Sequence, residues 1–267
     1  RDFLRWLDRQ EERPFFAFLN YFDAHAPYLP PEPYDTKFGP ARPQNVPVFI
    51  EGIDAWTGSE EQLQYEIDAY DGAIAHLDEQ IGNLLEELKQ RGRLENTLVV
   101  ITSDHGEEFR EHGVMSHGNS LYRQTVEVPL LMIFPGKIPS GVVVEEPVSL
   151  RNIPMTVAQL TNLDPALQFP GVSLTQYWDS ELALNLEPDP LLSEVHQNAS
   201  QPSWYPIANG DMFSAVIGEV RIIKNGDGEI EMYDFFNDPL EKNRLSYGDL
   251  ELSDKLIPFS DYLDVQP

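Results

Sequence analysis

The chain has 267 residues, enough for one substantial core with at most a small subdomain. Its apolar fraction of 41% and aromatic fraction of 11% are too high for a disordered protein, and no apolar run approaches the roughly 18 residues of a membrane span, so the chain reads as soluble and globular. Eighteen Lys and Arg against 45 Asp and Glu leave a formal charge of −27, which excludes nucleic acid as a partner and obliges any anionic substrate to meet a local positive centre. The lack of cysteine removes disulfides, thiolate metal sites and a cysteine nucleophile from these residues. The chain opens at Arg1 and enters an apolar run within a few residues, so a further N-terminal portion is expected.

PFFAFLNYF, Pro14 to Phe22, is too short and aromatic for a helix and predicts a strand buried on both faces. The prolines of DAHAPYLPPEPY enforce a loop, and the Pro-rich stretch up to Ser59 is expected to wrap the surface or line a cleft. Ser59, with acids in the turn after it, caps a long helix whose apolar stripe runs through Ile67, Ile74, Leu77, Ile81, Leu84, Leu85 and Leu88. NTLVVITS (Asn96 to Ser103) and VPLLMIF (Val128 to Phe134) predict two more buried strands. Strand, long helix and strand in this order imply a mostly parallel α/β sheet, with ligands bound beyond the carboxyl ends of its strands. Asp23 and His25 follow the first strand and Asp104 and His105 end the second, so all four are expected at one sheet edge.

RNIPMTVAQLTNL predicts a last helix for this α/β part, and PALQFPGVSL and LNLEPDPLL read as linkers. FSAVIGEVRIIKNGDGEIEMYDF then predicts short antiparallel strands with a tight hairpin at Asn225 to Gly228, and a terminal helix is expected near Asp249 to Tyr262. The expected division is residues 1–180 as α/β domain and 181–267 as antiparallel subdomain.

TSDHGEEFREHGVMSHG, Thr102 to Gly118, gathers Asp104, His105, His112 and His117. Asp supplies a hard oxygen and neutral His a nitrogen, so Asp104 and His105 suit a divalent cation if Gly106 turns sharply; an Asp-His-Gly sequence also suits a simple turn. His117 reads as a second metal or anion ligand or as a loop histidine bound to backbone. His25 is placed to stabilise an anion or protonate a leaving group, or to orient its own loop. His112 reads as structural or exposed, His76 as a helix-surface or packing residue, and His196 as ambiguous. Glu107 and Glu108 are expected to stabilise a helix start, and Glu86 and Glu87 to form a solvated face.

Five segments in order, FFAFLNYFDAHAPY, LDEQIGNLLEELKQRGRLENTLVVITSDHGEEFREHG, SHGNSLYRQTVEVPLLMIFPG, EPVSLRNIPMTVAQL and EMYDFFNDPLEKNRL, resemble the later part of the sulfatase family, within the alkaline-phosphatase-like superfamily. The resemblance implies that Asp104 and His105 are metal ligands, for Ca²⁺ in most sulfatases and Zn²⁺ or Mn²⁺ in some relatives. It implies that His25 contacts the sulfate and assists catalysis. His117 falls where many sulfatases carry a lysine, and a histidine there also occurs in phosphoethanolamine transferases and lipoteichoic acid synthases. The family's early Asp-Asp pair and its Cys/Ser-X-Pro-X-Arg motif, source of the formylglycine nucleophile, are not in these residues.

The expected function is therefore a fragment of a metal-dependent sulfatase, inactive alone, acting in the complete protein on a small-molecule or carbohydrate sulfate ester. The alternatives are a phosphoethanolamine-transferase-like or phosphodiesterase relative, and a non-catalytic binding domain. The expected partners are the missing N-terminal part of the same protein or a second copy covering exposed sheet. Many bacterial relatives imply periplasmic or membrane-anchored residence.

Overall fold

The computed structural model describes residues 2–10, 13–49, 56–164, 166, 169–178 and 191–246. The chain divides into two compact units, one of residues 1–50 and 64–81, the other of residues 51–63 and 82–267. Among the described residues no helix is long and apolar enough to cross a membrane.

The expected long helix runs from Glu60 to Gln90 (α2), after a short α1, Asp2–Leu7. Ser59 Oγ accepts from the Gln62 amide while Gln62 Oε1 accepts from the Ser59 amide, a reciprocal cap that satisfies two otherwise orphaned donors. In the first unit, the buried Glu66 carboxylate of α2 accepts from Arg42 at 2.7 Å and from the Phe49 amide at 2.9 Å, tying the Pro-rich loop to the helix. Tyr28 is buried edge-on against Tyr70, with ring centroids 5.3 Å apart.

Residues 14–22 depart from expectation. They form no β-ladder, and Phe16 and Phe18 are 89% and 80% exposed instead of buried. A strand exists only through a neighbour's hydrogen bonds, and no described residue supplies them.

In the second unit β1 (Val99–Thr102) pairs with β4 (Leu130–Ile133), from Val99 opposite Ile133 to Thr102 opposite Leu130. This pair is antiparallel. The parallel pairing implied by the strand–helix–strand order required residues 14–22 as a strand, and every ladder among the described residues is antiparallel. Between β1 and β4 lie a two-residue-deep hairpin of β2 (Glu108–Phe109) and β3 (Met115–Ser116), then the single turn α3 (Arg123–Val126). The expected helix after β4 is α4, Ile153–Leu160.

β5 (Leu191–Val195), β6 (Met212–Ile217), β7 (Val220–Lys224) and β8 (Ile230–Asp234) then form the expected antiparallel sheet, in that order. The β7–β8 hairpin turns where expected: the Gly228 amide donates to Asn225 O, and Gly228 takes φ 88°, a conformation that glycine adopts without strain. One face of this sheet builds the largest core cluster, in which Tyr205, Ile207, Met212, Ile223 and Tyr233 pack with Val114, Leu121 and Tyr122 from the segment between β2 and α3. The expected boundary at residues 180–181 and the expected helix at 249–262 lie outside the described residues.

The exposed aromatics give a direct test. Phe16→Asp with Phe18→Asp is expected to raise the soluble fraction of the 267-residue chain and change its unfolding free energy, read by urea denaturation, by no more than about 0.5 kcal/mol, the usual effect of surface substitution. A larger destabilisation would place those rings inside a packed core.

Candidate functional site

β1 ends at Thr102, the chain bends at Asp104, and Gly106 then runs close against the backbone of α3. A Cβ on Gly106 would stand 2.1 Å from Gln124 O, and the Gly106 amide donates to Thr125 O at 2.8 Å. Only glycine allows this approach to the α3 backbone, which fixes the direction in which Asp104 and His105 leave the strand. The Asp104 side chain is 88% exposed, with Oδ1 3.7 Å from His105 Nε2 and accepting from the His105 amide. His105 Nδ1 lies 2.8 Å from Gly106 O, a carbonyl to which it can only donate, and Nε2 is the ring nitrogen turned toward Asp104.

His117 reaches the same place from the far end of the β2–β3 hairpin. Its ring stacks on His105 with centroids 3.7 Å apart and planes at 21°, and its Nδ1 lies 3.2 Å from Glu107 Oε1. The structure thus brings Asp104, His105 and His117 together. His25 belongs to the first unit, where its Nδ1 lies 2.7 Å from Ala26 O and its ring packs on Phe22. In that unit Asp23 and His76 pair at 3.3 Å, and His76 also lies against the Tyr34 ring, so it is a packing residue as expected. His196 is exposed near Asp211.

Glu107 and Glu108 correct the sequence reading. No helix starts there, because both carboxylates face inward from the hairpin. Glu107 orients His117, and Glu108, with no exposure, accepts from Ser120 Oγ at 2.7 Å and from the His112 amide at 3.2 Å. The Asp234-to-Asn243 stretch is likewise a set of side-chain-capped turns. Asp234 accepts from the Phe236 and Asn237 amides, and Asp238 from those of Lys242 and Asn243. These turns present buried Glu241, which accepts from the Arg123 amide at 2.8 Å and lies 2.7 Å from Arg221 Nε. Arg221 also donates to Leu121 O. Tyr122 and Tyr233 donate to the buried Glu231 carboxylate; burial first, then Glu231, pushes both hydroxyls well above the usual tyrosine range, so they remain donors.

Asp104 and His105 form an oxygen–nitrogen pair with an open side, which fits half of a divalent-cation site. Among the described residues, no group of three or more His, Cys, Asp or Glu side chains is arranged to hold a metal. Asp104 and His105 also sit on the rim of an open groove of about 1420 Å³, lined by Leu131, Val143, Trp178 and Phe236 among others.

The sulfatase family model matches residues 1–163, and the chain belongs to that family. It is 29% identical over 192 residues to an arylsulfatase of Clostridium perfringens, covering 65% of this chain and 39% of the relative. It is 26% identical over 253 residues to an ulvan-active sulfatase of Formosa agariphila, covering 90% of this chain and 46% of the relative. The chain therefore spans less than half the length of either relative. Its fold resembles that of a phosphonate monoester hydrolase of Agrobacterium radiobacter, with a TM-score of 0.76 at 22% identity over 98% of this chain and 58% of that one. The α/β alkaline-phosphatase-like class expected from the sequence is thus borne out.

Gly106→Ala is expected to cost about 1–3 kcal/mol by forcing β1 and α3 apart, read as a fall in the denaturation midpoint. An unchanged midpoint would show that the turn relaxes without strain.

Proposed function

We propose that the complete protein is a metal-dependent sulfuric ester hydrolase acting on a small-molecule or carbohydrate sulfate ester. The observation that carries this reading is the gathering of Asp104, His105 and His117, with His105 Nε2 and the exposed Asp104 carboxylate on the same side. Family membership and the sulfate-ester names of the relatives support it.

Asp104 and His105 would hold the cation, Ca²⁺ by analogy with most sulfatases and Zn²⁺ or Mn²⁺ as in some relatives, together with ligands beyond the described residues. When bound, the ion supplies positive charge where negative charge develops on the ester oxygens. His117, oriented by Glu107, contacts the anionic group, and His25 protonates or stabilises the leaving oxygen. In a chain of net charge −27 the bound ion would supply the local positive centre that an anionic substrate requires. The formylglycine nucleophile is expected outside these 267 residues, which lack the Cys/Ser-X-Pro-X-Arg motif, so the chain alone has no turnover. The N-terminal part of the same protein, or failing that a second copy, covers Phe16 and Phe18. Residence is periplasmic or membrane-anchored, facing outward.

His117 favours one second reading, a phosphoryl-transferring or phosphodiester-cleaving relative, because imidazole replaces the usual lysine.

In the complete protein, Asp104→Ala with His105→Ala is expected to lower kcat/KM for an aryl sulfate by about 100-fold or more and to reduce bound metal. Preference for an aryl phosphate over the sulfate would favour the second reading. Activity and metal content unchanged by the double substitution would contradict both.

A further inference from the structure

His112 takes no part in the chemistry above, yet its ring is only 9% exposed and both nitrogens are engaged. Nδ1 lies 3.1 Å from Glu108 Oε1, and Nε2 lies 3.1 Å from Leu240 O and 3.2 Å from Glu241 O. All three partners are acceptors, a carboxylate and two carbonyls. A neutral imidazole has one N–H and one lone pair, and here it would aim that lone pair at an acceptor; only the imidazolium donates at both ends. The ring also lies flat on Tyr122, centroids 3.6 Å apart and planes at 12°, a geometry that favours a cation over a π face.

The surrounding charges agree. Glu108 of β2 is fully buried, and among the described residues the ion pair given for it is with His112; a neutral ring would leave that buried carboxylate without a paired charge. Glu241, on the turn after β8, is answered separately by Arg221 of β7 and by the Arg123 amide of α3, and the Arg123 guanidinium pairs with Glu127. Behind Tyr122, Glu231 of β8 pairs with Arg244 at 2.7 Å.

We propose that His112 is an imidazolium pin that fastens the β2–β3 hairpin to the C-terminal turn at Leu240–Glu241, and that loss of its proton releases the hairpin. Because Glu107 and His117 flank that hairpin, the pin makes His112 a positioning residue for them. The proposal rests on these contacts and holds whichever ester the site takes.

Burial alone would lower the basicity of the ring, but the hydrogen bond and charge of Glu108, with those of Glu241, outweigh it and raise His112 above the ordinary histidine value of 6.5. A raised histidine stabilises fully below its unfolded pKa of 6.5, and this contribution is lost as pH rises through the folded value. Glu241, raised by burial against the pull of Arg221, acts in the same sense, so a variant must separate the two.

The test uses the 267-residue chain. A titration followed by long-range proton–nitrogen NMR is expected to show both His112 ring nitrogens protonated on the acid side of a midpoint that lies above 6.5. Hydrogen-exchange protection of residues 109–116, corrected for intrinsic rates, should fall by up to about tenfold per pH unit between 6.5 and that midpoint and then level off. His112→Gln should abolish this step. A midpoint at or below 6.5, or a step that persists in the variant, overturns the proposal. Should the variant fail to fold, the titration of the unsubstituted chain decides alone.

Discussion

A carboxylate without solvent contact must find all of its hydrogen bonds inside the protein, and the candidate site depends on how Glu108 does so. Its oxygens take the Ser120 hydroxyl, the His112 amide and the His112 ring, drawing both ends of the 108–120 segment onto one side chain. The β2–β3 ladder has only two residue pairs, and a hairpin that short is not stable by itself in water. Breaking a buried charge pair costs about 3–5 kcal/mol, well above the roughly 1 kcal/mol of a typical hydrogen bond. The network around Glu108, more than the ladder, therefore holds Glu107 and His117 beside His105.

The C-terminal sheet has a role in the site for the same reason. Tyr122, Arg123 and Leu121 precede or open α3, and each is tied to β7, β8 or the turn that follows: Tyr122 to Glu231, the Arg123 guanidinium to Phe235 O, Leu121 O to Arg221. With Val114 and Leu121 packed on Ile223 and Tyr233, the sheet forms the floor on which the histidine-bearing segment rests. The turn chemistry of Asp234 and Asp238 serves this arrangement by delivering Glu241 to Arg123 and Arg221.

What was legible in the sequence was local. The Ser59 cap and apolar stripe located α2, the Asn225–Gly228 turn located β7 and β8, and Asp-His-Gly at the end of an apolar run located Asp104 and His105. What was not legible depended on partners distant in sequence or outside the described residues. Residues 14–22 have the composition of a buried strand but no ladder. Glu107 and Glu108 read as helix-start acids because a dipole effect needs only local sequence. Their real partners, His117 at ten residues and Ser120 at twelve, are brought near by the hairpin. His112 at four residues from Glu108 carried a signal, but the acceptors of its other ring nitrogen are 128 and 129 residues away.

The central claim is that Glu108 holds the His105–His117 pair together from a distance, without touching either ring. Rings stacked at 3.7 Å shift each other's carbon-bound proton resonances, so the aromatic NMR spectrum of the Glu108→Gln chain reads this directly. The account predicts that the His105 and His117 ring-current shifts collapse toward free-histidine positions, while the methyl resonances of Ile222 and Ile223 in β7 keep their dispersion. Retention of both histidine shifts in a folded Glu108→Gln chain would contradict it.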